Sequence, residues 1–192
     1  MTLLYKLTDA NGRTRGATPW GTGVTHRDPD VHELRHDLLI YAYMHPLLAA
    51  MFHPHHEDLD NPVLWVSEGD VAFSDHGCRV WCRSLTTLQK IPLPIVTTEQ
   101  HVRFGILCAR QVYTEPAWGR WSDLWLSGAD RSQESAHDAN LNSRWFGAAC
   151  AAAAAVFTNP NLAAGAAGSA ADAAAMYRDP LNLIALAQEA CL

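Results

Sequence analysis

Hydrophobic and polar positions follow two different rhythms along this chain. In the first half, apolar and polar residues alternate over short stretches rich in strand formers, which predicts β-strands. These stretches are residues 3–8, 24–26, 38–43, 63–73 and 78–88. After residue 97 the apolar positions recur every three or four residues, the period of a helix. We therefore expect an α+β domain over residues 1–96 and a helical, alanine-rich region over residues 97–192 packed on it.

Turn and capping residues set the expected helix boundaries. Thr97 and Gln100 have the spacing of a capping box, which satisfies amide groups at a helix start. Proline is well suited to the first turn of a helix, and Gly128 suits a helix end. The predicted helices are 47–52 after Pro46, one from Thr97, 115–128, one long helix over 130–157, and two more beginning at Pro160 and Pro180. The predicted fold class is α+β, a small antiparallel sheet with short helices followed by an alanine-rich helical hairpin stack.

Composition narrows the classes of function. The 192 residues are 48% hydrophobic and 18% charged with a net charge of −6, which describes a compact chain and argues against binding to nucleic-acid backbones. The longest apolar run, residues 145–157, is too short to span a bilayer, and no leader pattern is present at residues 1–7. The five cysteines form no zinc-type pair. We expect a cytoplasmic protein, in the host cytoplasm if the chain is viral.

The stretch 78–85 carries the sharpest local chemistry. Alternation would place Arg79, Trp81, Arg83 and Leu85 on one face of a strand, and Cys78, Val80, Cys82 and Ser84 on the other. Two guanidinium groups beside an indole suit a phosphate attached to a flat base. The alternative is a solvated sheet face on which the indole shields the arginine stems.

Other candidate residues lie in loops and at the first helix start. Trp20 and His26 flank a loop with two glycines that could bring a ligand close to backbone amides, although a tight turn explains the same residues. Arg103 and Gln100 lie at a helix N-terminus, which favours anions. The expected ligand-binding residues are Trp20, His26, Tyr43, His45, Trp81, Arg83, Gln100 and Arg103.

A group of histidines at 45–56, followed by Glu57 and Asp58, has the composition of a metal site but not the spacing. Adjacent His55 and His56 should project to opposite sides of an extended loop, so we expect an exposed polar loop, no metal and no cofactor. In the helical region, the tryptophans at 118, 121 and 125 should pack as core or interface. Together with the many glycines and alanines they favour a homo-oligomer.

Several segments resemble an uncharacterised domain family of bacteriophages, prophages and actinobacteria. They are residues 4–8, 20–26, 43–49, 82–87 and 98–104. The segment 103–125 with the following alanine-rich helices is similar to an immunity-protein family of polymorphic-toxin loci. The two resemblances cover about residues 3–130. They imply a phage or mobile-element context, in which proteins of this size often counteract host defence.

Three functions follow from these observations. The first is a non-catalytic, phage-encoded anti-defence protein that sequesters a small anionic nucleotide-like ligand in a cleft between the sheet and the first long helix. The second is an enzyme acting on a nucleotide or NAD, an ADP-ribosyltransferase or phosphodiesterase type, through Tyr43, His45 and Glu68 or Glu99. The third is an immunity or inhibitor protein that binds a protein partner, such as a host defence protein.

Overall fold

The computed structural model describes residues 1–14, 17–27, 40–178 and 180–192. The chain forms two compact units. The sheet unit contains Met1–Ala50 and Glu57–Ile95, and the helical unit contains Met51–His56 and Val96–Leu192. The predicted α+β class is confirmed, since a five-stranded antiparallel sheet is combined with α-helices.

The sheet is built around one long hairpin. Its strands are β1 (Thr2–Thr8), β2 (Thr25–Arg27), β3 (Ile40–Ala42), β4 (Val63–Asp75) and β5 (Arg79–Ile91). The order is β1-β4-β5-β2, and β3 also pairs with β5. Residues 38 and 39 of the expected third strand lie outside the described residues. The hairpin turn is closed by the backbone N–H of Cys78, which donates to the Asp75 carbonyl over 2.9 Å. His76 and Gly77 both have positive φ, as a type I′ turn requires.

The alternation expected along β5 is correct only up to residue 82. Val80 and Cys82 are buried, as predicted, but Leu85 is also buried and Ser84 is not. The expected shared face of Leu85 with the arginines is therefore wrong. The cause is a register shift, because Asp70 pairs with Ser84 while Val71 pairs with Cys82. Arg83 is thus the extra residue of a β-bulge, and one extra residue exchanges the two faces beyond it.

The core of the sheet unit lies on the buried face of these strands. One cluster of it contains Leu4, Trp20, Ala42, Val80, Cys82 and Leu85, with Ile40 and Val71 packed against it. A short helix, α1 (Pro46–Met51), begins in the sheet unit at the predicted proline and has its last residue, Met51, in the helical unit. The turn after it, through His56, also belongs to the helical unit.

Six helices make up most of the helical unit. They are α2 (Thr98–Arg110), α3 (Pro116–Ser127), α4 (Gln133–Asn142), α5 (Phe146–Val156), α6 (Pro160–Tyr177) and α7 (Leu183–Ala190). The capping box at Thr97 and Gln100 is confirmed, and so is the helix end at Gly128, which has a left-handed φ of 79°. Each of these signals depends on residues within one helical turn, so the sequence alone shows where the helix begins or ends.

Two predicted helix boundaries are wrong. The long helix expected over 130–157 is two helices, α4 and α5, separated at Ser143–Trp145. The last helix begins at Leu183, capped by the Asn182 side chain, and not at Pro180. In both cases the boundary lies in a short polar segment, residues 142–145 and 180–182, whose asparagine and serine residues are weak helix formers. The apolar pattern on either side continues across these segments and does not show the boundary.

Close packing of small residues and tryptophans forms the core of the helical unit. Trp118, Trp121 and Trp125 are buried, as predicted, against alanines of α5 and α6. A Cβ atom built on Gly105 of α2 would lie 3.0 Å from the Ala167 Cα, so α2 and α6 approach backbone to backbone there. No described helix is both long and apolar enough to cross a membrane.

Candidate functional site

Trp20 and His26 do lie together in the sheet unit. Their ring centroids are 4.5 Å apart in an edge arrangement. The Trp20 Nε1 donates to Thr14 Oγ1 over 3.2 Å, and the His26 Nε2 lies 2.7 Å from the Pro19 carbonyl. Because Trp20 is buried and both rings have internal partners, this pair stabilises the loop and presents little surface to a ligand.

Tyr43 and His45 are also engaged in the fold. Tyr43 is only 1% exposed, and its backbone N–H and carbonyl bond with Tyr5. The His45 Nδ1 accepts a hydrogen bond from the backbone N–H of Leu47 over 3.2 Å, at the start of α1. Tyr43 is therefore part of the core, and the His45 side chain stabilises the start of α1.

The two predicted site residues of the helical unit have internal partners as well. The Gln100 Oε1 accepts from the Thr97 backbone N–H over 2.9 Å, which completes the capping box. The Arg103 Nη1 donates to the Leu126 carbonyl over 3.3 Å, while its Nε is buried with no acceptor among the described residues. Glu99, a candidate carboxylate for catalysis, pairs with Arg131 over 2.9 Å.

Arg79 is the best-placed cation of the sheet unit. Its guanidinium carbon lies 5.0 Å from the Trp81 ring centroid and 5.8 Å from that of Tyr41. Its Nε donates to Asp75 Oδ2 over 2.9 Å, and no described residue accepts from its two terminal nitrogens. Trp81 itself stacks on Phe73, with centroids 6.0 Å apart. The ring contacts hold the guanidinium in place, and among the described residues nothing competes with an oxyanion for its two terminal nitrogens.

Arg83 takes a different position because of the bulge. Its Nη1 donates to the Val71 carbonyl over 3.4 Å and lies 3.6 Å from Asp70 Oδ1. Four residues of extended strand span about 13 Å, and the two arginines have different carboxylate partners, Asp75 and Asp70. Arg79 and Arg83 therefore offer two separate cationic positions along the strand.

A second cation, Lys6, lies behind the Tyr41 ring and was missed by the sequence analysis. Its Nζ is 3.8 Å from the centroid of that ring, and the side chain is only 3% exposed. Burial lowers the pKa of Lys6 to about 8, against the opposing influence of Glu57 and Cys82. The Tyr41 hydroxyl donates to Glu57 Oε2, and burial raises the pKa of that hydroxyl far above its ordinary value. Lys6, Tyr41 and Glu57 therefore form a buried polar group beside the Arg79 ring platform.

The helical unit contains the one group of potential metal ligands among the described residues. His55, His56 and Asp172 each offer an atom within 4.8 Å of the others. The expectation that the two adjacent histidines project to opposite sides is wrong, because residues 52–56 form a turn and not an extended loop. Asp172 is the only charged residue of α6, and that isolation in an alanine-rich helix is the sequence signal that could have identified it.

The chain matches no protein-family model, no curated protein and no solved structure. The resemblance to a phage and prophage domain family therefore stays a prediction.

Proposed function

We propose that this chain is a non-catalytic binding protein for a small phosphorylated, nucleotide-like ligand, and that Arg79 is its principal anion-binding residue. The observation that carries the proposal is the stacked guanidinium of Arg79, whose terminal nitrogens have no acceptor among the described residues. A planar fork held by aromatic rings suits two oxygens of one phosphate group. Arg83, about 13 Å further along the strand, would bind a second group of the ligand.

Lys6 supports the same site from inside the fold. At neutral pH most of its population is protonated, since burial lowers its pKa only to about 8. Its charge lies on the ring of Tyr41, which Arg79 also approaches. This second cation adds to the positive charge of Arg79, against the carboxylates of Glu57 and Asp75, in a chain whose net charge is −6. The site is a small group of charges and not an extended basic surface, which favours a small anion over a nucleic-acid backbone.

The phage and mobile-element resemblance determines which ligands are tested first. We propose a cytoplasmic role in sequestering a nucleotide signal of host defence, and the corresponding panel is cyclic and linear adenine nucleotides. Titration calorimetry of the purified chain should give saturable binding for at least one member. No heat from any member at concentrations well above those of cellular nucleotides would contradict the proposal.

Variants of Arg79 distinguish the effect of its charge on ligand affinity from the effect of its planar guanidinium group. Arg79→Ala should weaken binding by about 1.5–3 kcal/mol, the range for a hydrogen bond to a charged group. Arg79→Lys retains the charge but loses the planar fork, so most of the affinity should also be lost. Lys90→Ala is the matched control, because Lys90 lies on the same strand and contacts a different ring, Trp65, at 5.1 Å. Equal binding by the wild type and Arg79→Ala would refute the assigned role.

Incubation of the panel and NAD with the protein, followed by mass analysis, distinguishes sequestration from turnover. The proposal expects recovery of the unchanged ligand after denaturation of the protein. Accumulation of a product in the wild type would instead favour the enzymatic alternative.

A further inference from the structure

His55, His56 and Asp172 converge although 117 residues separate His55 from Asp172. The His55 Nε2 lies 2.8 Å from Asp172 Oδ2. The His56 Nε2 lies 3.2 Å from the same oxygen and 3.3 Å from Oδ1. One carboxylate therefore faces two imidazole nitrogens at once, and all three residues belong to the helical unit.

The distances between these atoms are close to those of a metal site. Zinc bonds to histidine nitrogen and carboxylate oxygen are about 2.0–2.2 Å long, so two ligand atoms of a tetrahedral site lie about 3.3 Å apart. The observed separations between nitrogen and oxygen are 2.8 and 3.2 Å. Shifts of about half an ångström would bring these two nitrogen–oxygen pairs to tetrahedral spacing, and all three ligand atoms lie within 4.8 Å of one another.

The surrounding residues fix both rings in position. The His56 ring stacks on buried Phe52 with centroids 4.5 Å apart and planes 4° apart. Phe52 is in turn held edge-on by Phe104 at 5.8 Å. The His55 Nδ1 lies 3.4 Å from Ser169 Oγ, on the side of the ring away from Asp172. Such hydrogen bonds to the second ring nitrogen orient metal-binding histidines.

The sequence of α6 allows His55 to lie close to this helix. Gly168 lies one helical turn before Asp172, and a Cβ atom there would be 2.6 Å from the His55 Cβ. Any side chain larger than hydrogen at residue 168 would force His55 away from α6. The only carboxylate of α6 thus lies one turn from the glycine that admits the imidazole beside it.

We infer that His55, His56 and Asp172 form a binding site for a divalent transition-metal ion, with zinc as the first candidate. Two imidazoles and one carboxylate suit zinc and the neighbouring first-row ions better than calcium or magnesium, which prefer oxygen ligands. Zinc takes four ligands, so at least one position stays open to water or to a small molecule. The side chain of Asp172 is 30% exposed, which gives an ion access from solvent. The inference does not depend on the anion site of the sheet unit.

Titration of the full chain with zinc sulfate, by calorimetry and in competition with a chelating dye, tests the inference. We expect one zinc ion per chain. His55→Ala and Asp172→Asn should each lower the affinity about 10-fold or more, since even the loss of an outer-shell partner costs 10–100-fold. His137→Ala and Asp138→Asn are the matched controls, because both residues are exposed on α4, and they should bind as the wild type does.

X-ray absorption at the zinc edge of the wild type provides a readout that does not depend on whether the variants fold. The inference expects nitrogen and oxygen neighbours with the signature of imidazole rings. A sulfur neighbour, no stoichiometric zinc, or unchanged affinity in both His55→Ala and Asp172→Asn would overturn it.

Discussion

Replacement of two glycines on α6 by alanine should change stability in opposite directions. A Cβ atom at Gly165 would meet nothing within 4 Å, whereas one at Gly168 would lie 2.6 Å from the Cβ and 2.7 Å from the Cγ of His55. Both positions are inside the same helix. The pair therefore isolates the contact with His55 from the general effect of glycine on helix formation.

The magnitudes follow from two opposing effects. Alanine is better than glycine in a helix interior by about 0.8–1 kcal/mol, so Gly165→Ala should stabilise the chain by about that amount. Gly168→Ala gains the same propensity, but overpacking of a well-packed interior costs about 1–3 kcal/mol. Gly168→Ala should thus be less stable than Gly165→Ala by about 1–3 kcal/mol. For a chain of 192 residues this difference corresponds to about 2–4 °C per kcal/mol in Tm.

Thermal unfolding followed by far-ultraviolet circular dichroism measures the difference, because most described helices belong to the helical unit. Gly168→Ala should also lose zinc affinity, since His55 is pushed away from Asp172, while Gly165→Ala should retain it. Equal stabilisation by the two substitutions would show that His55 does not lie against Gly168, and it would refute the arrangement of the metal site.

Two further predictions concern the folds of the two units. Burial lowers the pKa of Lys6 to about 8, so between that value and about 10.4 the unfolded chain holds a proton that the folded chain has lost. The free energy of unfolding should therefore rise by about 1.4 kcal/mol between about pH 7 and pH 9 through this residue. Lys6→Met should abolish this rise in urea titrations, whereas Lys90→Ala should preserve it; a rise that persists in Lys6→Met would contradict the assignment. Thr97→Ala removes the side chain that caps α2 and should destabilise the chain by about 1 kcal/mol in the same titrations. An unchanged urea midpoint would show that the cap contributes nothing.

Local signals in the sequence predicted much of the fold. The capping box at Thr97 and the helix end at Gly128 each depend on contacts within a few residues. Alternation predicted the buried face of β5 as far as Cys82. It failed at Arg83, because a β-bulge depends on the register with β4, and that register is absent from the pattern of a single strand.

The break between α4 and α5 shows the limit of helix propensity. Residues 146–156 are almost all alanine or other helix-compatible residues, and no side chain caps the start of α5 at Trp145. The Trp145 ring instead lies over Gly147, where a Cβ atom would be 2.2 Å from the ring. Gly147 admits this indole at the start of α5, a contact that the apolar periodicity of the sequence does not show.

The candidate sites depend on contacts between residues that are far apart in the sequence. The strand reasoning placed Arg79 beside Trp81 correctly, since neighbours on one strand face are two residues apart. Lys6, Tyr41 and Glu57 meet only through strand pairing and the turn after α1. His55 and Asp172 meet only through the close contact at Gly168. Most of the eight residues expected to bind a ligand have structural partners in caps, turns and the core, and their role in ligand binding stays a prediction.

Native mass spectrometry tests most directly whether Arg79 makes this chain a binding protein for phosphorylated ligands. The wild type and Arg79→Ala would be incubated with the same mixture of adenine nucleotides and then desalted. The proposal predicts a nucleotide adduct of defined mass on the wild type and its loss from Arg79→Ala. The same adduct on both proteins, or none on the wild type, would contradict it.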